Sequence, residues 1–182
     1  MQRYSQLTTK EPVYIGSLPS AEQTNRDILQ QYAAVKDTPD IRKTHHFMGR
    51  FENTYIPEKK IPAIRAILDM GLFYAAEILQ MDPSEFRLGF WFNEMHKGHQ
   101  TTLHTHEEED ELLSAVYYIQ ATENSGDLVV RSGSESLHLQ PVAGRMILFR
   151  PEVPHEVEKN NTDRMRLSVA INFGRNLPDN ES

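Results

Sequence analysis

Two histidines separated by one residue, His104 and His106, lie in the stretch GHQTTLHTHEEEDELLSAVYYI (98–119). At the end of a β-strand, side chains two residues apart point to the same side, so both imidazoles can reach one ion. A third nitrogen ligand is expected from His155, which follows the strand-like run RMILF (145–149) and a proline-bounded turn. Three imidazoles suit iron, copper, nickel or zinc, whereas calcium and magnesium prefer oxygen ligands. The sequence therefore predicts a transition-metal site.

The acidic run EEEDE (107–111) that follows has two interpretations. Most such runs are solvated loops, here at the rim of a barrel. Alternatively, one carboxylate completes the metal shell. His106 and Glu108 form an H-x-E pair that, with His155, gives the two-histidine, one-carboxylate arrangement of non-haem iron oxygenases. We favour the solvated loop for most of the run and retain Glu108 as the alternative ligand.

The last strand-like segment, MRLSVAINF (165–173), places Arg166 and Ser168 on one face. An arginine that points inward needs a partner, because an unpaired buried charge is costly. A dicarboxylate ligand would supply one, since a guanidinium binds a carboxylate through two hydrogen bonds and the serine hydroxyl adds a third. The alternative is an edge strand with the arginine in solvent, and the segment taken alone favours this alternative.

The predicted secondary structure that must position these residues changes from mainly helical to mainly β-strand near residue 83. Before it, helices are predicted over 20–36, with Ser20 as the N-cap, and over 61–81, with a short strand at 50–56. After it, many short strands separated by turns indicate a sandwich or barrel, so the fold class is α+β. These strands are predicted at 86–95, 112–120, 127–131, 135–139, 145–149, 154–158 and 165–173.

Length and composition limit the function classes. The chain has 182 residues, about the size of one domain, and it has no cysteine, which removes thiolate chemistry and disulfides. Its net charge of −7 disfavours nucleic-acid binding. No apolar run is long enough to cross a bilayer, and the first residues do not resemble a signal peptide, so a cytoplasmic location is expected.

The order of these motifs resembles the iron(II)/2-oxoglutarate-dependent dioxygenases, especially their prolyl-hydroxylase-like members. The similarity covers roughly residues 90–174 and depends on ordered spacing across several weak motifs, which is more specific than any one of them. In chain order the motifs are HTH (104–106), LSAVYY (113–118), SGDL (125–128), Gly144 to Phe149, His155 and RLS (166–168).

The resemblance implies a double-stranded β-helix, a jelly-roll barrel backed by N-terminal helices. One domain would span residues 1–182, with mainly helical support in 1–83 and the jelly-roll core with its metal site in 84–175. The implied cofactors are Fe(II) and 2-oxoglutarate. The implied reaction is hydroxylation of an unactivated C–H bond of a peptide, an amino acid or a small metabolite. Jelly-roll proteins often pair through sheet edges or faces, which makes a homodimer an expectation as well.

The resemblance also implies roles for individual residues. His104 and His155 would bind Fe(II), while Arg166, Ser168 and Tyr118 would hold the distal carboxylate of 2-oxoglutarate. Most members carry Asp or Glu where this sequence has a histidine. The third ligand is therefore either His106 itself or a carboxylate from Glu108 or Asp110.

A cupin is the alternative with the same fold. Gly98, the two nearby histidines and Glu111 nearly match its first motif, and Gly144 and His155 have the spacing of the second. Tyr118, however, stands where that first motif ends in glycine. A cupin would be a metal-dependent dioxygenase or a non-catalytic binding protein without 2-oxoglutarate. Cupins need no R-x-S on the final strand, so Arg166 favours the oxygenase.

Overall fold

The computed structural model of the chain describes residues 5–7, 12–47, 49–106 and 110–176. The helices in these segments are α1 (Ala21–Val35) and α2 (Arg65–Leu79), with short 3-10 turns at Glu58–Lys60, Pro62–Ile64 and Pro83–Glu85. The strands are β1 (Ser5–Leu7), β2 (Val13–Ser17), β3 (Arg42–Phe47), β4 (Arg50–Tyr55), β5 (Phe86–Met95), β6 (Thr101–His104), β7 (Glu111–Gln120), β8 (Leu128–Ser132), β9 (Glu135–Leu139), β10 (Arg145–Phe149), β11 (His155–Val157) and β12 (Arg166–Arg175).

The strands form two antiparallel sheets. The larger has the order β1-β2-β10-β7-β12-β5-β4-β3, and the smaller has the order β6-β11-β8-β9. Three long strands, β5, β7 and β12, make the centre of the larger sheet, with β12 hydrogen-bonded on both sides. Apolar side chains of both sheets pack together between them, including Tyr118 and Ile147 from the larger and Val130 from the smaller. The result is a jelly-roll barrel with an interior cavity.

The two helices cover the outer face of the larger sheet. Alternate residues of β12, from Leu167 to Phe173, are fully buried against them in the main core. Since strand side chains alternate between faces, the other residues of β12 point into the barrel. Gly71 lets α2 approach the sheet, because a Cβ at this position would lie 3.0 Å from Phe173. The helical layer therefore fixes which face of β12 is available to a ligand.

Most predicted elements are present within a few residues of their expected ends, and strands 86–95, 135–139 and 145–149 have the expected bounds. Ser20 occupies the predicted N-cap position of α1, but the capping role predicted for its side chain is wrong. This residue has a left-handed backbone with φ of 58°, and its side chain makes no capping hydrogen bond. Besides the helices, the N-terminal part contributes β1 to β4 to the larger sheet. Neither helix in the described segments has the length and apolarity that a membrane span requires.

Candidate metal and cofactor site

Three histidines meet where the smaller sheet opens. His104 is the last residue of β6 and His155 is the first of β11, and the two lie opposite each other in this antiparallel pair. His106 lies two residues beyond the end of β6, in the segment that leads toward β7. Its backbone N–H donates a 2.9 Å hydrogen bond to the carbonyl of Pro151, which fixes it beside the loop before β11. Two distant parts of the chain are thus joined at one point.

The three imidazoles are close enough to share an ion. Ring centroids lie 4.3 Å apart for His104 and His155, 5.1 Å for His106 and His155, and 5.2 Å for His104 and His106. One ring nitrogen of each lies within 4.8 Å of the others. Two ligands of one first-row ion lie at most about 4 Å apart, so small side-chain rotations bring all three into coordination distance.

Backbone carbonyls orient two of the imidazoles. Nδ1 of His104 lies 2.8 Å from the carbonyl oxygen of Thr102, and Nδ1 of His155 lies 2.9 Å from that of Val153. A carbonyl can only accept, so each Nδ1 carries the proton and donates it. The unprotonated Nε2 of each ring is then the atom free to bind a metal, which is the usual arrangement around metal-bound histidines.

The environment keeps two of these histidines neutral. Burial lowers the pKa of His155 to about 3, and the nearby imidazole of His104 contributes in the same direction. Burial likewise lowers the pKa of His106 to about 4, again with a contribution from His104. Because a metal binds only unprotonated imidazole, both side chains are ready for coordination at neutral pH.

Arg166 lies deeper in the barrel, on the inner face of β12. The side chain is 1% exposed, and Nη1 donates a 2.8 Å hydrogen bond to the carbonyl of Gly126. Gly126 has a φ of +98°, and a Cβ there would lie 2.2 Å from the carbonyl oxygen of Glu158, so a larger residue does not fit. Burial lowers the pKa of Arg166. The fold thus holds a guanidinium in the interior with one backbone acceptor.

Tyr118 and Ser168 stand beside this arginine. They are direct neighbours across β7 and β12, and both are buried. The guanidinium carbon of Arg166 lies 5.0 Å from the centre of the Tyr118 ring. Burial raises the pKa of Tyr118, so its phenol stays protonated at neutral pH and can donate a hydrogen bond. The three residues predicted to contact one carboxylate therefore lie together.

Unsatisfied polar atoms give an independent test of whether a dicarboxylate fits here. Tyr118 Oη and Arg166 Nε are both buried, and neither has a hydrogen-bond partner in the part of the chain that the structure describes. Among the described residues no carboxylate forms an ion pair with Arg166. Leaving such donors unsatisfied is unfavourable. A ligand carboxylate would accept from both atoms and neutralise the buried charge, so the residues fit 2-oxoglutarate.

The histidines and Arg166 line one cavity of about 1100 Å³. Its walls also include Trp91 and Asn93, which the alternation of β5 points inward. The Asn93 Oδ1 atom is buried and accepts no hydrogen bond from any described residue, so it can accept one from a ligand or a water molecule. One cavity therefore connects the candidate metal ligands with the candidate carboxylate site.

Several lining residues were missed by the sequence analysis. They come from the hairpin of β3 and β4 and include Arg42, His45 and Tyr55. Strand β3, RKTHHF, is largely polar and has no alternating pattern, so it gave no strand signal. Only its pairing with β4, which the sequence did not predict, brings these side chains to the cavity.

The acidic run divides into three parts. Glu108 lies outside the described residues. Asp110 forms an ion pair with Arg87 and does not join the histidine cluster. Glu111 begins β7, where it accepts a 2.6 Å hydrogen bond from Asn172. Within the described segments, the group at this site with metal-binding geometry consists of histidines alone.

Known proteins resemble this chain in sequence and in fold. Residues 90–174 match the model of the 2OG-Fe(II) oxygenase superfamily. No protein of curated function matches the sequence. Among solved structures, a Pseudomonas putida prolyl-4-hydroxylase is similar, with a TM-score of 0.68 and 21% identity over 91% of this chain and 94% of that chain. EvdO2 from Micromonospora carbonacea var. aurantiaca has a TM-score of 0.70 and 16% identity over 96% and 94%.

A prolyl hydroxylase from Trichoplax adhaerens, solved with a peptide fragment of the hypoxia inducible factor, has a TM-score of 0.62 and 14% identity over 84% and 79%. At such identities these similarities establish the fold. The fold is a double-stranded β-helix, which confirms the predicted fold. The segment that matches the model of the 2OG-Fe(II) oxygenase superfamily, residues 90–174, contains the three histidines and Arg166.

Proposed function

We propose that this chain is an Fe(II)- and 2-oxoglutarate-dependent oxygenase that hydroxylates an unactivated C–H bond of a peptide, an amino acid or a small metabolite. His104, His106 and His155 are the proposed metal ligands. Arg166, Ser168 and Tyr118 are the proposed contacts of the distal carboxylate of 2-oxoglutarate. The observation that carries the proposal is the buried Arg166, which has no carboxylate partner within the described segments and lies in the same cavity as three converging imidazoles.

The bound cofactors would supply the oxidation: one atom of O₂ enters the substrate C–H bond as hydroxyl, and the other enters succinate as CO₂ leaves. The protein supplies position and environment. Hydrogen bonds from Nδ1 to backbone carbonyls direct two imidazole Nε2 atoms toward the metal. Arg166 and Tyr118 would donate hydrogen bonds to the distal carboxylate from buried positions, and such bonds are stronger there than in water.

The proposal is tested by assaying succinate formation from 2-oxoglutarate with and without Fe(II), together with thermal unfolding. A ligand that binds only the folded state raises Tm. We expect 2-oxoglutarate to raise Tm in the presence of metal, and succinate to form only with Fe(II). A metal-dependent rise without any response to 2-oxoglutarate would contradict the proposal and favour a cupin.

The third ligand is tested by two single substitutions. We expect His106→Ala to lower Fe(II) affinity about 100-fold, because one of three protein ligands is lost and the remaining imidazoles hold the ion less well. Glu108→Ala should leave the affinity unchanged. Anaerobic titration with Fe(II), followed by metal analysis, measures both. The reverse pattern would assign the third position to Glu108.

The remaining expectations concern the setting of this activity. The family relatives bind small molecules or peptides, and a substrate of one of these kinds is proposed here. The absence of cysteine and the net charge of −7 support a cytoplasmic protein that does not bind nucleic acid. A homodimer stays a prediction, which sedimentation would test.

A further inference from the structure

A continuous series of side chains follows one wall of the cavity from the histidines to the rim. The centre of the Trp91 ring lies 6.2 Å from that of His106 and 6.1 Å from that of Tyr55. At the rim, the guanidinium carbon of Arg42 lies 3.8 Å from the centre of the Tyr55 ring. All four residues line the cavity. A ligand that reaches the histidines along this wall contacts two aromatic rings and one cation.

The charge of Arg42 is available to such a ligand. Arg42 is exposed, and among the described residues no carboxylate forms an ion pair with it. Two carboxylates of the lining have other partners, since Asp40 pairs with Lys60 and Glu52 pairs with Arg50. The rim therefore presents a cation that no carboxylate of the described segments neutralises, in a protein whose net charge is −7.

The other charged side chains that line the cavity are less available to a ligand than Arg42. Arg87 is already paired with Asp110. Glu111 is hydrogen-bonded to Asn172 and lies on β7, three strands away from β4 in the larger sheet. The aromatic wall therefore ends in the cation of Arg42, which is well separated from the carboxylate of Glu111 on the other side of the cavity.

The chemistry of the wall selects a ligand class. Aromatic side chains prefer to stack on or meet the edge of another flat ring. A guanidinium stacked on an aromatic ring keeps its planar N–H groups free for a carboxylate, which it binds in a two-point geometry. The order of the wall is cation at the rim, rings in the middle and imidazoles at the inner end.

We propose, on the basis of the oxygenase function above, that the substrate is a small, flat molecule with a carboxylate at one end. Its carboxylate binds Arg42 and its ring lies on Tyr55 and Trp91. The carbon that is hydroxylated lies at the end remote from the carboxylate, because the histidines and Arg42 lie at opposite ends of the wall.

Trp91 makes this proposal testable by binding alone, because it is the chain's single tryptophan. Its fluorescence reports on the cavity without contribution from other tryptophans. The protein is loaded anaerobically with Fe(II) and saturating 2-oxoglutarate, so that the cofactor site is filled and no turnover occurs. It is then titrated with phenylpropanoate, with phenylpropylamine, which has the opposite charge on the same ring, and with cyclohexylpropanoate, which has the same charge on a ring that is not flat.

We expect phenylpropanoate to bind at least about tenfold more tightly than either analogue, as a charge-assisted hydrogen bond and ring stacking together imply. Arg42→Gln should remove the preference for acid over amine, and Arg42→Lys should retain much of it. Arg87→Gln is the matched control at the same rim, and it should leave the preference unchanged because the charge of Arg87 is paired in the native protein.

Equal affinity for the acid and the amine, or an unchanged preference in Arg42→Gln, would overturn the inference. The inference would also be overturned if none of three flat carboxylates, phenylpropanoate, cinnamate and naphthoate, bound at millimolar concentration. Binding of Fe(II) and 2-oxoglutarate is measured first. This measurement distinguishes a wrong substrate class from a wrong oxygenase function. If the cofactors bind and flat carboxylates do not, only the substrate class is wrong. If 2-oxoglutarate itself does not bind, the function is wrong.

Discussion

Replacing Arg166 with methionine is expected to abolish 2-oxoglutarate binding and, at the same time, to stabilise the protein in the absence of ligands. Binding is lost because Arg166 supplies the positive charge for the distal carboxylate, and we expect affinity to fall at least about 100-fold, which corresponds to roughly 3 kcal/mol. Isothermal titration with 2-oxoglutarate in the presence of metal measures this change. Metal binding itself should be unaffected, since the histidines lie on other strands.

Stability should rise because the native arginine is an unfavourable buried charge without a bound ligand. It is 1% exposed, and its Nη1 atom donates a hydrogen bond to the carbonyl of Gly126, whereas its Nε atom has no partner in the described parts of the chain. Replacing a buried ionic group by an apolar one of similar volume is often neutral or stabilising by about 1–4 kcal/mol. Denaturant unfolding of the ligand-free proteins should therefore give a higher midpoint for Arg166→Met than for the wild type.

Arg164 provides the matched control. It lies two residues before Arg166, just outside β12, and it is exposed. Arg164→Met should change neither 2-oxoglutarate affinity nor unfolding free energy by more than about 0.5 kcal/mol, as is usual for surface positions. A large loss of stability in Arg166→Met, without ligand, would mean that the arginine is a structural element of the barrel. Such a result would remove the main support for the cofactor site.

The opposite effects expected for Arg166 reflect a general property of functional sites, where stability is exchanged for binding. Because residues at such sites do not suit their structural surroundings, part of this site could be predicted from the sequence. Arg166 was recognisable because a charged side chain interrupts an otherwise apolar strand, and the three histidines were recognisable by the H-x-H spacing and by the position of His155 after an apolar strand. The strand pattern alone favoured a solvent-exposed Arg166. The order of the motifs along the chain favoured instead an inward-pointing Arg166 that binds a carboxylate. The contact that fixes its guanidinium, the carbonyl of Gly126, gave no signal, because any residue has a carbonyl.

Strands with a clear apolar pattern could be predicted from the sequence, whereas short polar strands could not. Strand β5 contains six large apolar residues and β10 is almost wholly apolar, and both were predicted with their observed bounds. Strands β3 and β6 are short and polar, and neither was predicted. They are strands because of their partners: β3 pairs with β4, and β6 pairs with β11. The wall that leads to Arg42 depends on such pairing, which local sequence does not contain.

Ser20 illustrates the opposite error, a local pattern that tertiary structure overrides. The sequence around it matches a capping box, but the backbone there is left-handed and the side chain caps nothing. The chain enters α1 directly from the turn after β2, which is fixed in the larger sheet by its pairing with β10. The entry angle into the helix is set by that sheet position, and the capping geometry is lost.

Acid should destabilise the metal-free protein through the same histidines that are proposed to bind the metal. The pKa of His155 is about 3 in the folded state and that of His106 is about 4, against 6.5 for an ordinary histidine. Between these values and 6.5 the unfolded chain binds protons that the folded chain does not. The unfolding free energy therefore falls as the pH decreases through this window, by at most about 1.4 kcal/mol per pH unit for each histidine.

His155→Leu isolates this effect, because His155 is 5% exposed and leucine can fill much of its space. We expect the variant and the wild type to have parallel stability profiles above pH 6.5, where neither state of the chain carries the extra proton. Below that pH, metal-free His155→Leu should lose stability less steeply than the wild type. Urea unfolding at a series of pH values gives both slopes, and identical slopes would show that His155 is not kept neutral by burial.

Adding Zn(II) to the same two proteins links the acid response to metal binding. At pH 7 the ion should raise the Tm of the wild type, because it binds the folded state through imidazoles that are already unprotonated. The shift should be absent or much smaller in His155→Leu, which retains two of the three histidines. A full shift in the variant would mean that the ion binds elsewhere. A reduced acid slope with no metal response in either protein would leave His155 as a buried core histidine and would remove it from the proposed metal site.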